Sequence, residues 1–314
     1  MSILKAALLA PAMLAEAYRP AMVGREPAAF QSITEQLELA MGQPVDMVRI
    51  HVADEGYDFI RNLAASGPEG TMVMSKPARL THFQQGQDVS AAALRSTFSK
   101  LHLKVQSLDF AVNFANLAFD QELELLVLAL PAPLEPKCSW IHPTLGCEPQ
   151  IRKLQKAFAS PANILKFEPS PAVTQQGVPM GSACYDLDTY YFMLRTAQGK
   201  PVVLLYSPCI REKPSSSAAA KAGSVGRAEA IARLEALGVT VVEVSDDDFQ
   251  RRACNAINPH AGEIVFSEPV SQSLQNRLRE LDVRSTALQD FVPGREFGIH
   301  CLTLELPPKT KVDL

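Results

Sequence analysis

The segment of this chain best suited to chemistry lies near its C-terminus: Gly298-Ile299-His300-Cys301-Leu302-Thr303-Leu304-Glu305-Leu306. A Cys beside a His follows a Gly-containing loop and heads an alternating, β-type run. A thiol on a rigid strand that opens toward a loop is well placed to act as a nucleophile. The plainer use of the same residue is as a small core hydrophobe, since Cys is among the most buried residue types. On strict strand alternation His300 points opposite to Cys301, which reads as a packed or surface His. His260, in the turn Asn258-Pro259-His260-Ala261-Gly262, reads as solvent-facing.

The other thiols are at 138, 147, 184, 209 and 254, with no CxxC pair and no dense framework. Six such Cys lead to the expectation of a reduced, cytoplasmic chain. Cys184 and Cys254 each lie one motif-length from the candidate site and could be mistaken for the reactive thiol in a labelling assay. His142 and Cys147 share a Pro-rich loop, but two ligands without a second pair do not make a metal site. A net charge of −4 without any Lys/Arg-rich run argues against nucleic acid or an acidic membrane as partner. Nowhere are there eighteen consecutive apolar residues, so no transmembrane helix is expected. Lys5, the run Ala6–Ala15 and Ala15-Glu16-Ala17 loosely imitate a secretory signal. The run is short, broken by Pro11 and rich in Ala rather than Leu, so it is read as the first strand in preference to a cleaved leader.

The elements that must position a nucleophile repeat along the 314 residues, which are 47% hydrophobic. Five copies of one plan follow each other: apolar strand, turn, amphipathic helix, second strand. In the fourth, residues 200–207 read as a buried strand and 214–220 as a surface insertion. Its helix runs from Arg227 to Leu237, with Ala228, Ile231, Ala232 and Leu234 on one side and Gly238 as its stop. Residues 239–244 form its return strand. The fifth copy has a strand over 262–267 and a helix over 271–281 with Leu274, Leu278 and Leu281 on one face. A new strand then begins at Val283. RLEALGVTVVEV from Arg233 is echoed by RLRELDVRSTAL from Arg277, a spacing of about 44 residues that suits propellers or solenoids.

Fainter copies take strands over 6–10, 71–75 and 123–130, helices over 30–41, 91–101 and 150–159, and return strands over 45–50, 103–108 and 164–167. Units that cannot each bury a face share one core when arranged around an axis. A doubly wound sheet is the structural alternative, but no strand is followed by a GxGxxG phosphate turn. Short polar segments follow most return strands: Val112–Asn116, Tyr185–Thr189, Cys254–Asn258 and Ile299–Cys301. Radial repetition would turn Asn116, Asp186, Asp188, Asn255 and Cys301 toward one central channel.

The five-unit plan resembles the pentein superfamily, the guanidine-modifying enzymes that include amidinotransferases and dimethylarginine dimethylaminohydrolases. Asp-Leu-Asp-Thr (186–189), Cys-Asn-Ala-Ile (254–257) and the segment 298–306 carry the likeness, which is best over about residues 165–306. The resemblance implies an α/β fold: a five-bladed, pseudo-symmetric α/β propeller of ββαβ units, one domain over 1–314, with its active site at the centre and no cofactor. It implies a Cys thiolate, here Cys301, that attacks the guanidinium carbon of arginine or a derivative. A His then gives a proton to the leaving amine and activates water or an acceptor amine. Carboxylates hold the planar guanidinium by paired hydrogen bonds. Asp188 matches the acidic residue of the family's His-Leu-Asp-Thr, and Glu168 can be placed on the Glu that precedes its Gly-Gly-Asp. Asn116, Glu168 and Asn255 are the expected substrate-lining residues. The ligand is then a small guanidino compound, and since propeller edges often pair, a homo-oligomer fits.

The departures are specific. Asp186 stands where the family has its His, and an aspartate of ordinary pKa (about 4) is a poor proton shuttle near neutrality. Burial or the neighbouring Asp188 would have to raise it. The Gly-Gly-Asp after Glu168 is missing, and the loop before Cys301 keeps only Gly294 and Gly298. Two uses of the fold therefore stay open. One is an active guanidine-modifying enzyme in which Asp186 or His300 does the work of the His. The other is a homologue that binds a ligand or partner without turnover. A third reading, an unrelated fold with ordinary core strands, competes with both.

Overall fold

The computed structural model describes residues 13–18, 47–51, 64–76, 86–110, 112–130, 148–170, 172–173, 179–181, 184, 186–214, 223–288 and 298–306. The described chain begins with β1 (Met13–Tyr18), β2 (Met47–His51), β3 (Ala64–Ser66), β4 (Thr71–Met74), α1 (Gly86–Lys100) and β5 (Lys104–Ser107). It continues through β6 (Leu117–Asp120), β7 (Leu125–Ala129), α2 (Glu148–Ala157), β8 (Asn163–Phe167), β9 (Ala172–Val173), β10 (Pro179–Gly181), β11 (Tyr191–Arg195) and β12 (Pro201–Leu205). The last part holds β13 (Ser224–Val225), α3 (Arg227–Ala236), β14 (Thr240–Glu243), α4 (Asp246–Gln250), β15 (Glu263–Phe266), α5 (Gln272–Glu280), β16 (Arg284–Ala287), α6 (Ile299–Leu302) and β17 (Thr303–Leu306).

This mixed α/β chain is built from small separate sheets, and the repeated plan is visible in their pairing. In three of them an antiparallel pair is followed by a helix and a parallel return strand: β3-β4-β5, β6-β7-β8 and β11-β12-β14. The parallel pair β15-β16 is shorter, with a bridge from Ile257 to Val265 where the antiparallel strand would lie. The crossover helix supplies the length that a parallel pair needs. In a further sheet β1 pairs antiparallel with β17 and parallel with β2, so the strand that follows Cys301 joins the N-terminal part of the chain. The expected strand over 6–10 and helix over 30–41 lie outside the described residues.

Core packing follows the hydrophobic runs. β7 and β12 are buried almost throughout, and Val202, Val203, Leu204 and Leu205 have no exposed surface. α3 is a correction in detail. Its buried stripe is Ala230 and Leu234, flanked by the partly buried Ile231 and Leu237, while Ala228 and Ala232 are exposed. Residues 230, 234 and 237 share a face at 3.6 per turn, and 228 and 232 fall outside it. α5 turns Leu274 and Leu278 inward as expected. Gly238, with φ of +78°, provides the left-handed residue after α3.

Candidate active site

Three short segments meet where the core ends. The first is the 3-10 turn Phe114–Asn116, initiated by Asn113, whose side chain accepts a hydrogen bond from the Ala115 amide. The second is the 3-10 turn Leu187–Thr189, preceded by Asp186, just ahead of β11. The third is α6, one turn of helix before β17. Asn113 Nδ2 and Asn116 Nδ2 both donate to Asp186 Oδ1, at 2.8 and 3.0 Å. The Leu187 amide donates to Asn116 Oδ1 at 3.1 Å, so both atoms of the Asn116 amide hold the start of the turn. Asn255 Nδ2 donates to the carbonyl of Asp188 at 3.0 Å. Asn116, Asp186, Asp188 and Asn255 are thus brought together.

The structure corrects the strand placement of His300 and finds it packed. Residues 299–302 are helical and the strand starts only at Thr303, so strand alternation does not govern this pair. His300 is buried, with its Nδ1 3.2 Å from Asp188 Oδ2 and its ring edge-on to Phe192. Cys301 follows it in α6, not on the strand; its side chain lies outside the described part. The Ile299 amide donates to Ser267 Oγ at 2.7 Å, which anchors the start of the turn. A Cβ on Gly298 would come within 2.3 Å of Asn255 Oδ1, so this glycine is required by close approach. Gly294 lies outside the described residues. A cavity of about 210 Å³ lies against Asp188 and His300, walled by Leu117, Phe119, Tyr191 and the Arg195–Asp120 ion pair.

The electrostatics single out Asp186. The residue is only half-buried, yet its carboxyl group is enclosed. Burial, and then the negative charge of Asp188, push it up to about 8 against the two Asn donors. Tyr190 is buried beside both carboxyls, which together with desolvation drive its phenol upward. Its hydroxyl has no hydrogen-bond partner among the described residues.

Glu168 is buried just after the end of β8. Arg211 Nε lies 3.7 Å from Glu168 Oε2, and the Arg211 amide donates to the Glu168 carbonyl. The expectation of six reduced thiols is also corrected: Cys184 and Cys209 form a disulfide with Cα atoms 5.4 Å apart. Cys254 is free but buried, its thiol directed at the Leu204 carbonyl and pushed up by desolvation. His260 is half-buried in its turn. The loop carrying His142 and Cys147 lies outside the described residues. Among the described residues no three His, Cys, Asp or Glu are grouped to hold a metal ion. No helix among them is long and apolar enough to cross a membrane. Asn113 was within reach of sequence reasoning, being the other amide of the quoted Val112–Asn116 segment.

No family model matches the chain, and no curated protein does. Solved structures do. The N-terminal domain of ArgZ, an arginine dihydrolase from the ornithine-ammonia cycle in cyanobacteria, superposes with a TM-score of 0.62 at 16% identity, over 94% of this chain and 97% of that one. AgrE in ternary complex with ornithine and NAD+ gives 0.64 at 12% identity, over 96% of this chain and 40% of that one. SxtG, an amidinotransferase from Microseira wollei in the saxitoxin biosynthetic pathway, gives 0.58 at 9% identity over 97% of both chains. The chain has the fold of these arginine dihydrolase and amidinotransferase structures, in keeping with its resemblance to the pentein enzymes.

Proposed function

We propose that this protein is a guanidine-modifying enzyme that acts on arginine or a derivative, with Cys301 as nucleophile and Asp186 as proton shuttle in place of the family's His. The observation that carries the reading is the Asp186 carboxyl, enclosed beside Asp188, steadied by two Asn donors and pushed up to about 8. A carboxyl in that range is protonated near neutrality yet able to ionise, as a general acid-base group must be. The Cys301 thiolate adds to the guanidinium carbon, and the bond to the leaving amine breaks as Asp186 gives that nitrogen its proton. Water or an acceptor amine then gives a proton to the Asp186 carboxylate and attacks the same carbon. The C–S bond breaks and the thiolate returns. Asp188 would hold the guanidinium. A single five-bladed propeller over residues 1–314 belongs to this reading, supported by the repeated small sheets and by the pairing of β17 with β1. A cytoplasmic setting is part of the same reading, and the Cys184–Cys209 disulfide is the feature that argues against it.

One observation favours the second reading, a binder without turnover. Glu168 already faces a guanidinium, that of Arg211, and is not followed by the family's Gly-Gly-Asp. Treatment with 2-chloroacetamidine, a guanidinium mimic, followed by peptide mass mapping separates the two. Rapid labelling at Cys301 that arginine suppresses, with Cys254 untouched, is the outcome expected of the enzyme. Labelling no greater than in Cys301→Ser leaves only the binder.

A further inference from the structure

We propose that His300 is a positioning residue: its Nδ1–H donates to Asp188 and so keeps the proton shared by the two carboxyls on Asp186. The role rests on the acid-base reading of that pair, but the geometry supplies it independently. His300 and Asp188 are both buried, and their side chains meet at 3.2 Å across 112 residues of chain. The ring is fixed edge-on by Phe192, and its turn is anchored by the Ile299–Ser267 bond. Asn255 holds the other side of Asp188 through its carbonyl, which prevents the turn from rotating away.

The two carboxyls receive different donors. Among the described residues Asp186 is offered only neutral amides, from Asn113 and Asn116, which can bond either its neutral or its ionised form. Asp188 is offered an imidazole N–H, which favours the ionised form and gains further if the ring is itself charged. The titratable and charged groups that face the pair among the described residues are Tyr190 from the same segment, His300 from α6 and, across the cavity beside Asp188, the Arg195–Asp120 ion pair of β11 and β6, whose two charges offset each other. The segment before β6 and residue 255 present only amides. A buried phenol near two carboxyls stays neutral and cannot decide between them. His300 can. Its position immediately before Cys301 also ties the state of the pair to the placement of the nucleophile.

The test does not depend on turnover. Carboxyl carbons of ¹³C-labelled Asp are followed against pH in the wild type, His300→Phe and His300→Asn, with Asp186→Asn and Asp188→Asn as assignments. Thermal unfolding verifies that each variant folds. In the wild type Asp186 should carry most of the neutral-range titration. In His300→Phe the proton should redistribute toward Asp188 by about tenfold, the size expected from loss of one hydrogen bond to an ionised group. His300→Asn, whose amide can donate, should recover much of the wild-type pattern. Superimposable curves for wild type and His300→Phe overturn the proposal, as does an Asn variant no better than Phe. Absence of Cys301 labelling in the wild type would instead count against the enzymatic reading and leave these curves to be judged separately.

Discussion

Replacing an imidazole with a carboxyl costs a site its natural titration near neutrality, and only the surroundings can restore it. At Asp186 the restoring agents are desolvation and the Asp188 charge, the two that the sequence made available to reasoning. Asn113 and Asn116 steady the acid without returning it to the ordinary range. Asp186→Asn keeps a neutral group of the same shape, able to accept the same two amide donors through its oxygen. It should fold and be labelled by 2-chloroacetamidine at Cys301, because displacement of chloride needs no proton from the enzyme. Its turnover of arginine should fall by about 10² or more, the usual worth of a positioned acid-base group. Asp186→His should keep turnover and move the pH profile toward the imidazole range of about 6.5. Equal turnover in Asp186→Asn and wild type would remove Asp186 from the chemistry. His300 was misread for a local reason: Cys301-Leu302-Thr303 looks like the start of a strand, and only tertiary packing makes 299–302 a turn of helix.

At the scale of elements, the acidic segments are held by chain crossings that no motif announces. The Cys184–Cys209 disulfide ties the segment before Asp186 to the 3-10 turn Ser207–Cys209. The next residues of that turn hold the end of β8: the Ser170 amide donates to the Cys209 carbonyl and the Arg211 amide to that of Glu168. One covalent link therefore restrains both Asp186 and Glu168. A pair separated by 25 residues carries no CxxC signature, so the sequence left it among six unremarkable thiols. A closed loop of this length is worth roughly 3 kcal/mol through the unfolded chain. Cys184→Ser/Cys209→Ser should lower the denaturant midpoint accordingly and raise the m-value somewhat, because the unlinked unfolded chain exposes more surface. Reduction of the wild type should reproduce the loss, and midpoints unchanged in both would show that the link contributes nothing in solution. By contrast the helices α3 and α5 and their return strands were readable, because apolar spacing, and for α3 the Gly238 stop, are local signals.

Taken as a whole molecule, the chain repeats a plan whose clearest trace is the echo between residues 233–244 and 277–288, and whose weakest copies are the earliest. The polar segments after its return strands announced a polar meeting point of its units, and this polarity should mark the stability of the entire fold. Asp186 titrates near 3.8 in an unfolded chain and at about 8 in the native one, so between those values the native state holds an extra proton. The slope of unfolding free energy with pH follows the protons bound by the unfolded state minus those bound by the native state, which here is negative. Its contribution is fully favourable below about pH 4, declines as pH rises toward 8 and is flat above it. Other carboxyls of ordinary behaviour add slopes of their own, so the wild type alone does not isolate the term. Asp186→Asn removes it. The stability of the variant relative to wild type should rise steadily from about pH 4 to about pH 8 and then level. At ~1.4 kcal/mol per pKa unit the rise amounts to a few kcal/mol. Urea titrations of both proteins across that range measure the difference directly. A constant difference would mean that Asp186 is ionised in the native protein at neutral pH, and the proton proposed for the leaving amine would have to come from elsewhere.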